Sequence, residues 1–375
     1  MKAKQSTFKF VDLFSGCGGF SYGLEMAGHQ CLLGVDFEKD AIQSFKANHP
    51  QSETFFGDIQ KLTKEKLTKL IKGERVDMVV GGPPCQGFST IGKGEACDNR
   101  NNLFREFVRI VKTLNPRVII FENVTGILAK KNQVILKQIF KSFEDLGYTM
   151  DARVLSSEEY GVAEIRRRTI IIGTKECSAP LFPQISHGER GHLPINNVGN
   201  VFSNLKADDG IVYNHDIKTA QIKKKIDLKR LERIPEGCSI RYERDELKYL
   251  PKSLKYNIDW ESLFEGRFRQ AKLQRLDRKK PSPTILTSRT NFYHPTEDRF
   301  LTPREAAACQ SFPNNFIFSG SLTSQFRQIG NAVPPLLAKA IGEAVRAMLL
   351  SKHQQKENSV EFGKYAFHYN RSTVA

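Results

Sequence analysis

The chain has 375 residues, more than one domain usually holds, so two lobes or one large core with an appended lobe are expected. A formal charge of +16 and a pI near 9.5 favour a polyanionic partner, nucleic acid first. No apolar run is long enough to span a bilayer, no signal or transit pattern stands at the start, and the seven cysteines (17, 31, 85, 97, 177, 238 and 309) make no CxxC pair or Cys/His cluster. The expectation is an intracellular, cytoplasmic protein with reduced thiols, no metal and no membrane segment.

From residue 8 to about 174, short β-rich runs alternate with helical patterns, the signature of a parallel sheet with helices on its faces. Strands are predicted at 9–13, 31–35, 53–56, 76–80 and 117–121, then a hairpin of 149–155 with 169–173; helices fit at 40–48, 103–114 and 133–146. From about 177 to 280 the pattern dissolves into lysine-rich sequence with irregular apolar spacing. Residues 186–280 hold 21 Lys+Arg against 14 Asp+Glu, with basic runs at Lys223-Lys224-Lys225 and Arg278-Lys279-Lys280. Tyr242, Tyr249, Tyr256, Trp260, Phe264 and Phe268 are interleaved, a mixture suited to phosphate contact and base stacking. Regular structure returns at Thr302-Pro303-Arg304-Glu305, where an N-cap threonine, a proline at the first helical position and a glutamate three residues after the cap predict a helix to about Cys309. Pro334-Pro335 opens an amphipathic helix to about Leu350, and the polar tail 351–375 is expected to be loosely held.

The chemistry-bearing residues fall just after strands, at the edge where open α/β sheets bind ligands. After the first strand, Gly16, Gly18 and Gly19 allow a ligand close to the backbone, yet the dinucleotide pattern GxGxxG fails at Ser21. Asp36 ends the second strand, where an acid can accept from ribose hydroxyls, and Asp58 ends the third, within reach of an adenine amino group. Together they indicate an adenosine-containing ligand without a diphosphate, and S-adenosylmethionine fits. The fourth strand runs into Gly81-Gly82-Pro83-Pro84-Cys85-Gln86, which presents a thiol on a stiff loop. An isolated cysteine is more often a small buried hydrophobe, so its neighbours decide. The next strand ends in Phe121-Glu122-Asn123-Val124; this Glu is either a structural carboxylate or, beside a cysteine loop, a protonated acid able to hydrogen-bond a ring nitrogen.

These stretches, with Phe14-Ser15-Gly16-Cys17-Gly18-Gly19, Gln86-Gly87-Phe88-Ser89, Arg166-Arg167-Arg168, Arg304-Glu305-Ala306-Ala307, Gln310-Ser311-Phe312-Pro313 and Gln328-Ile329-Gly330-Asn331-Ala332-Val333-Pro334-Pro335, resemble the ordered motifs of the DNA (cytosine-5)-methyltransferase family. The resemblance covers nearly the whole chain outside the middle segment and the tail. It implies a Rossmann-like, S-adenosylmethionine-dependent α/β catalytic sheet, with a smaller irregular target-recognition domain. The expected divisions are catalytic residues 1–176, recognition residues 177–280, a catalytic return over 281–350 and the tail 351–375.

By the same resemblance, Cys85 would add to C6 of cytosine, Glu122 would bind N3 and the exocyclic amine, and Arg166 and Arg168 would contact the base and help to position the thiol. Phe14, Gly16, Gly18, Gly19, Asp36, Phe37, Asp58, Ile59, Pro83, Asn331 and Val333 would line the cofactor site, and Gln86, Ser89, Arg275 and Thr287 would meet DNA. The target base would have to be flipped out of the duplex. Two positions depart from the family pattern: Asp36 stands where Glu is usual, and Glu164, after Ala163 where Pro is common, stands where Gln is usual. The reading is a monomeric duplex-DNA cytosine-C5 methyltransferase, acting alone or protecting DNA from a cognate restriction endonuclease. Its rivals are the family's RNA-methylating branch and a non-catalytic DNA-binding protein on the same fold.

Overall fold

A computed structural model of the chain describes residues 7–83, 100–205 and 212–350. In chain order its main elements are β1 Lys9–Leu13, α1 Gly19–Met26, β2 Gln30–Asp36, α2 Lys39–Asn48, β3 Glu53–Phe56, α3 Lys64–Leu70, β4 Met78–Gly81, α4 Arg100–Leu114, β5 Val118–Val124, α5 Gln133–Glu144, β6 Thr149–Ser156, β7 Arg167–Thr174, α6 Val198–Ser203, α7 Lys225–Leu231, β8 Ile240–Tyr242, α8 Glu243–Tyr249, β9 Arg267–Lys272, α9 Pro303–Cys309, α10 Leu322–Asn331 and α11 Pro335–Leu350. Among the described residues no helix is long and apolar enough to cross a membrane.

The described residues form two compact units. One takes 7–83, 100–156, 167–185 and 335–350; the other takes 157–166, 186–205 and 212–334. The first unit is built on a seven-stranded sheet of order β3-β2-β1-β4-β5-β7-β6, parallel except where β7 runs antiparallel to β5 and β6. Alternation along the strands sends Val11, Leu13, Leu33, Val35, Val79, Ile119 and Phe121 to one face, where α3, α4 and α5 cover them with Leu67, Phe107, Ile110, Ile139 and Phe143. The opposite face carries Asp12 and Gly34, against α1 and α2.

Helix α11, predicted from Pro334-Pro335, packs on α1. Gly23 makes this possible, because a Cβ there would run into the Pro335 carbonyl and the Ala338 methyl. Strands β1 and β3 lie where predicted. β5 runs on to Val124, so Glu122 lies within the strand rather than after it.

In the second unit, the capping box at Thr302 and Glu305 starts α9 as predicted, with the Thr302 side chain accepting from the Glu305 N–H and the Glu305 carboxylate accepting from the Thr302 N–H. Among its described residues the stretch 177–280, read as irregular, holds the short helices α6, α7 and α8 and the β8-β9 pair, with α7, α8 and the pair around a core of Leu231, Ile234, Ile240, Leu250, Trp260, Leu273 and Tyr293. Most of its aromatics serve that core: Trp260 donates to Glu246 Oε2 at 3.1 Å and stacks edge-on against Phe268, while Phe264 is 83% exposed. The tail 351–375 lies outside the described residues.

Candidate active site

Beyond Leu13 the chain turns through Phe14, Gly16 and Gly18 with φ of 62°, 55° and 97°. For Phe14 the left-handed conformation costs about 1–2 kcal/mol. It is held by hydrogen bonds to the end of β2: Ser15 N–H donates to the Val35 carbonyl at 3.0 Å and Gly16 N–H to Asp36 Oδ2 at 2.8 Å. The other oxygen of Asp36 accepts from Glu38 N–H at 2.9 Å. Burial pushes the Asp36 carboxyl up from its ordinary value, and these backbone donors oppose the shift. A Cβ on Gly16 would meet nothing within 4 Å, whereas one on Gly18 would strike His49, so the loop is packed from behind and open in front.

Beside Asp36, the Phe37 side chain is 62% exposed. Asp58 is exposed and caps a short turn by accepting from Gln60 N–H at 3.0 Å, which buries Ile59. Phe14, Gly16, Gly18, Gly19, Asp36, Phe37, Asp58 and Ile59 thus gather at the carboxyl ends of three adjacent parallel strands. Beneath them Asp12 accepts from Ser21 Oγ at 2.6 Å; burial pushes its carboxyl up to about 7, the Asp36 charge adding to the rise.

β4 delivers the second cluster. Gly81 lies against the Leu13 carbonyl with no room for a Cβ, and a Cβ on Gly82 would come within 2.8 Å of Glu122 Oε2. Glu122 therefore reaches across the strand end because glycine leaves it space. Its Oε1 meets Arg168 Nε at 2.9 Å. The pairing of Glu122 with Ile170 and of Val124 with Arg168 puts Glu122 and Arg168 on one face as diagonal neighbours. Asn123 points to the opposite face, where its Nδ2 donates to the Pro83 carbonyl at 3.1 Å and tethers the start of the cysteine loop. Cys85, Gln86 and Ser89 lie outside the described residues. The thiols of Cys17, Cys31 and Cys309 are buried and pushed well up, Cys17 to about 12. Such thiols are poor nucleophiles.

Two of the expected residues make extensive contacts inside the protein. Arg166 is 1% exposed; its Nη2 donates to the Gly330 carbonyl at 2.9 Å and its Nη1 faces Glu164 Oε1 at 3.9 Å. It is engaged inside the second unit, while Arg168, two residues on, belongs to the sheet. Arg275 is 6% exposed, and its guanidinium donates to the carbonyls of Leu231, Ile234, His294 and Glu297 and to Asp298. Those contacts use its five donors.

Glu164, the departure from the family pattern, is buried and accepts from Ile285 N–H at 2.6 Å. Here 163–165 pairs with Ser282, whose N–H donates to the Ala163 carbonyl and whose carbonyl accepts from Ile165 N–H, both at 2.8 Å. The carboxylate is thereby turned into the second unit. Thr287 is exposed at a point where its backbone nitrogen lies close to Gly330. Asn331, exposed, and Val333, buried, also belong to the second unit. Asp12 and His49 escaped the sequence reading; for Asp12 the available signal was a polar residue interrupting an apolar strand, and His49 follows the end of α2.

The sequence and fold match known proteins over most of their length. The family profile of C-5 cytosine-specific DNA methylases matches residues 8–347. The chain is 36% identical over 349 residues to the Type II methyltransferase M1.HphI of Haemophilus parahaemolyticus, covering 90% of this chain and 87% of that protein. It is 34% identical over 375 residues to the Type II methyltransferase M.DdeI of Desulfomicrobium norvegicum, covering 89% and 88%. A crystal structure of a putative DNA modification methyltransferase encoded within an E. coli prophage superposes with a TM-score of 0.69 at 26% identity, over 91% of this chain and 99% of that one. With glycine loop, acidic strand ends and the Glu122 edge all placed on that shared fold, the chain belongs to the C-5 cytosine-specific DNA methylase family and is a DNA (cytosine-5)-methyltransferase.

Proposed function

We propose that the enzyme methylates C5 of a cytosine within a specific duplex DNA sequence, through a transient bond between Cys85 Sγ and C6 of a flipped-out base. The observation that carries this reading is Glu122, lodged against Gly82 with Arg168 at 2.9 Å, on the strand next to the one that leads into the cysteine loop. C5 of cytosine is too weak a nucleophile to take a methyl group unaided. Addition of the Cys85 thiolate to C6 moves electron density toward C5 and N3, and Glu122 stabilises N3 as that density arrives. Arg168 fixes the carboxylate and lies within reach of the same base. After transfer, loss of the C5 proton and elimination at C6 release the thiolate.

The edge formed by β1, β2 and β3 fits S-adenosylmethionine. It is open at Gly16, Asp36 keeps acceptor capacity beyond its two backbone bonds for ribose hydroxyls, and the exposed Phe37 offers a ring to lie on adenine. When bound there, the cofactor supplies an electrophilic methyl group. The relatives' names as Type II methyltransferases support a modification role, in which methylation shields sites from a cognate endonuclease. Bisulfite sequencing of DNA from a methylation-free host expressing the protein is expected to show 5-methylcytosine at one recurring sequence. Cys85→Ser is expected to abolish that signal while retaining DNA binding, and appreciable turnover by the variant would refute the nucleophile. Tritium transfer to duplex DNA but not to tRNA separates this reading from the RNA-methylating branch.

A further inference from the structure

We propose that His49 is a positioning residue for the cofactor loop: held between the Glu25 carboxylate and the Gly18 carbonyl, its ring keeps the turn at Gly18 in the form that receives S-adenosylmethionine. This rests on the cofactor reading above and assigns a residue outside every motif used for it.

The His49 side chain is fully buried at the end of α2. Its Nδ1 lies 2.7 Å from Glu25 Oε2 and its Nε2 lies 3.2 Å from the Gly18 carbonyl oxygen. The Gly18 carbonyl oxygen only accepts, so in that hydrogen bond Nε2–H is the donor. The same Gly18 carbonyl accepts from Tyr22 N–H at 2.8 Å, the first bond of α1. One oxygen therefore starts the helix and rests on His49.

Gly18 has φ of 97° and no side-chain cap bond; its N–H donates to the Ser15 carbonyl at 3.0 Å, and its carbonyl is held from outside the loop. Glycine visits many conformations in a free chain, and an external contact must select the one the ligand needs. His49 supplies that contact by volume as well as by hydrogen bond. A Cβ on Gly18 would occupy the space of the imidazole, so the ring fills the position a side chain would have had. The ring is itself fixed by Phe45 at a centroid distance of 4.3 Å and by the edge of Tyr22 at 6.1 Å. Glu25, His49 and Gly18 thus link α1, α2 and the loop in one chain of hydrogen bonds, on the side of the loop opposite the open face at Gly16.

Three substitutions separate the donor from the volume. His49→Gln can place an amide N–H where Nε2 lies, His49→Asn is too short to reach the Gly18 carbonyl, and His49→Phe keeps the ring without a donor. Calorimetric binding of S-adenosylhomocysteine to the full chain without DNA is expected to weaken by about tenfold for the Asn and Phe variants, the size of one lost hydrogen bond to a buried acceptor. KM for S-adenosylmethionine is expected to rise in parallel while kcat changes less than about threefold, and His49→Gln should recover most of the loss. Equal weakening in the Gln and Phe variants, or binding within about twofold of the parent in all three, overturns the proposal. Should the buried variants fail to fold, Glu25→Ala removes the ring's partner from a partly exposed position; unchanged binding in that variant overturns the proposal equally. Failure of the parent protein to bind S-adenosylhomocysteine would instead sink the cofactor reading itself.

Discussion

Glu122 and Arg168 meet because two strands are in register. Glu122→Gln preserves shape and one acceptor but cannot give up a proton, so kcat is expected to fall about 10²- to 10³-fold with S-adenosylhomocysteine affinity unchanged, measured by tritium transfer and calorimetry. A parallel loss of affinity would mean that the substitution had disturbed the glycine loop instead. Asp12 allows a test of sign. Its carboxyl is raised from 3.8 in the open chain to about 7 in the fold, chiefly by burial. The native state therefore binds more protons than the unfolded state between those values, and this contribution to stability is complete below 3.8 and lost as pH rises through about 7. Asp12→Asn keeps an acceptor for Ser21 Oγ and is expected to flatten the fall of urea midpoint between pH 4 and 7. A slope identical to the parent's would show that Asp12 does not carry it. The glycine loop, Asp36 and Glu122 were legible because each interrupts or ends an apolar run. The different surroundings of Arg166 and Arg168 were not, since two arginines two positions apart are told apart only by where β7 begins and what β5 places opposite it.

Elements were readable where their signals are local. The capping box predicts α9 from four consecutive residues, and the double proline predicts the start of α11. The β8-β9 pair and the helices around it were missed because their stability comes from a small core assembled across 231–293, with Trp260 tied to Glu246 and Arg275 at its edge, rather than from periodicity. Arg275 tests that explanation. Its guanidinium satisfies four carbonyls and Asp298, so Arg275→Ala strands several buried acceptors and is expected to destabilise the second unit by about 3–5 kcal/mol in chemical denaturation. Arg275→Lys should recover little, because an ammonium cannot reproduce the planar fork. A surface phosphate contact would behave differently: stability would hold in both variants and only DNA affinity would fall.

At the scale of the molecule, composition points to a basic middle segment but not to its packing partners. Residues 281–334, read as part of the return to the sheet, group with the second unit, joined to 157–166 by the pairing of Ser282 with 163–165. That pairing spans more than a hundred residues of sequence and leaves no periodic trace. The charge itself divides by what each cation touches. Arg275, Arg299 and Arg304 are buried in hydrogen bonds, whereas Lys223, Lys224 and Lys225 are exposed and make no ion pair among the described residues. Only the second kind can release counterions from DNA. The logarithm of duplex affinity is expected to fall with the logarithm of salt concentration at a slope of about −5 to −9, as for proteins contacting roughly six to ten phosphates. Replacing Lys223, Lys224 and Lys225 together by Ala should lower the magnitude of that slope by about 2 to 3 and weaken target and non-target duplexes alike, since phosphate contacts carry no sequence information. Filter binding across a salt series measures both. An unchanged slope would mark the run as a solvated face. A loss confined to the target duplex would mean that these lysines touch base edges.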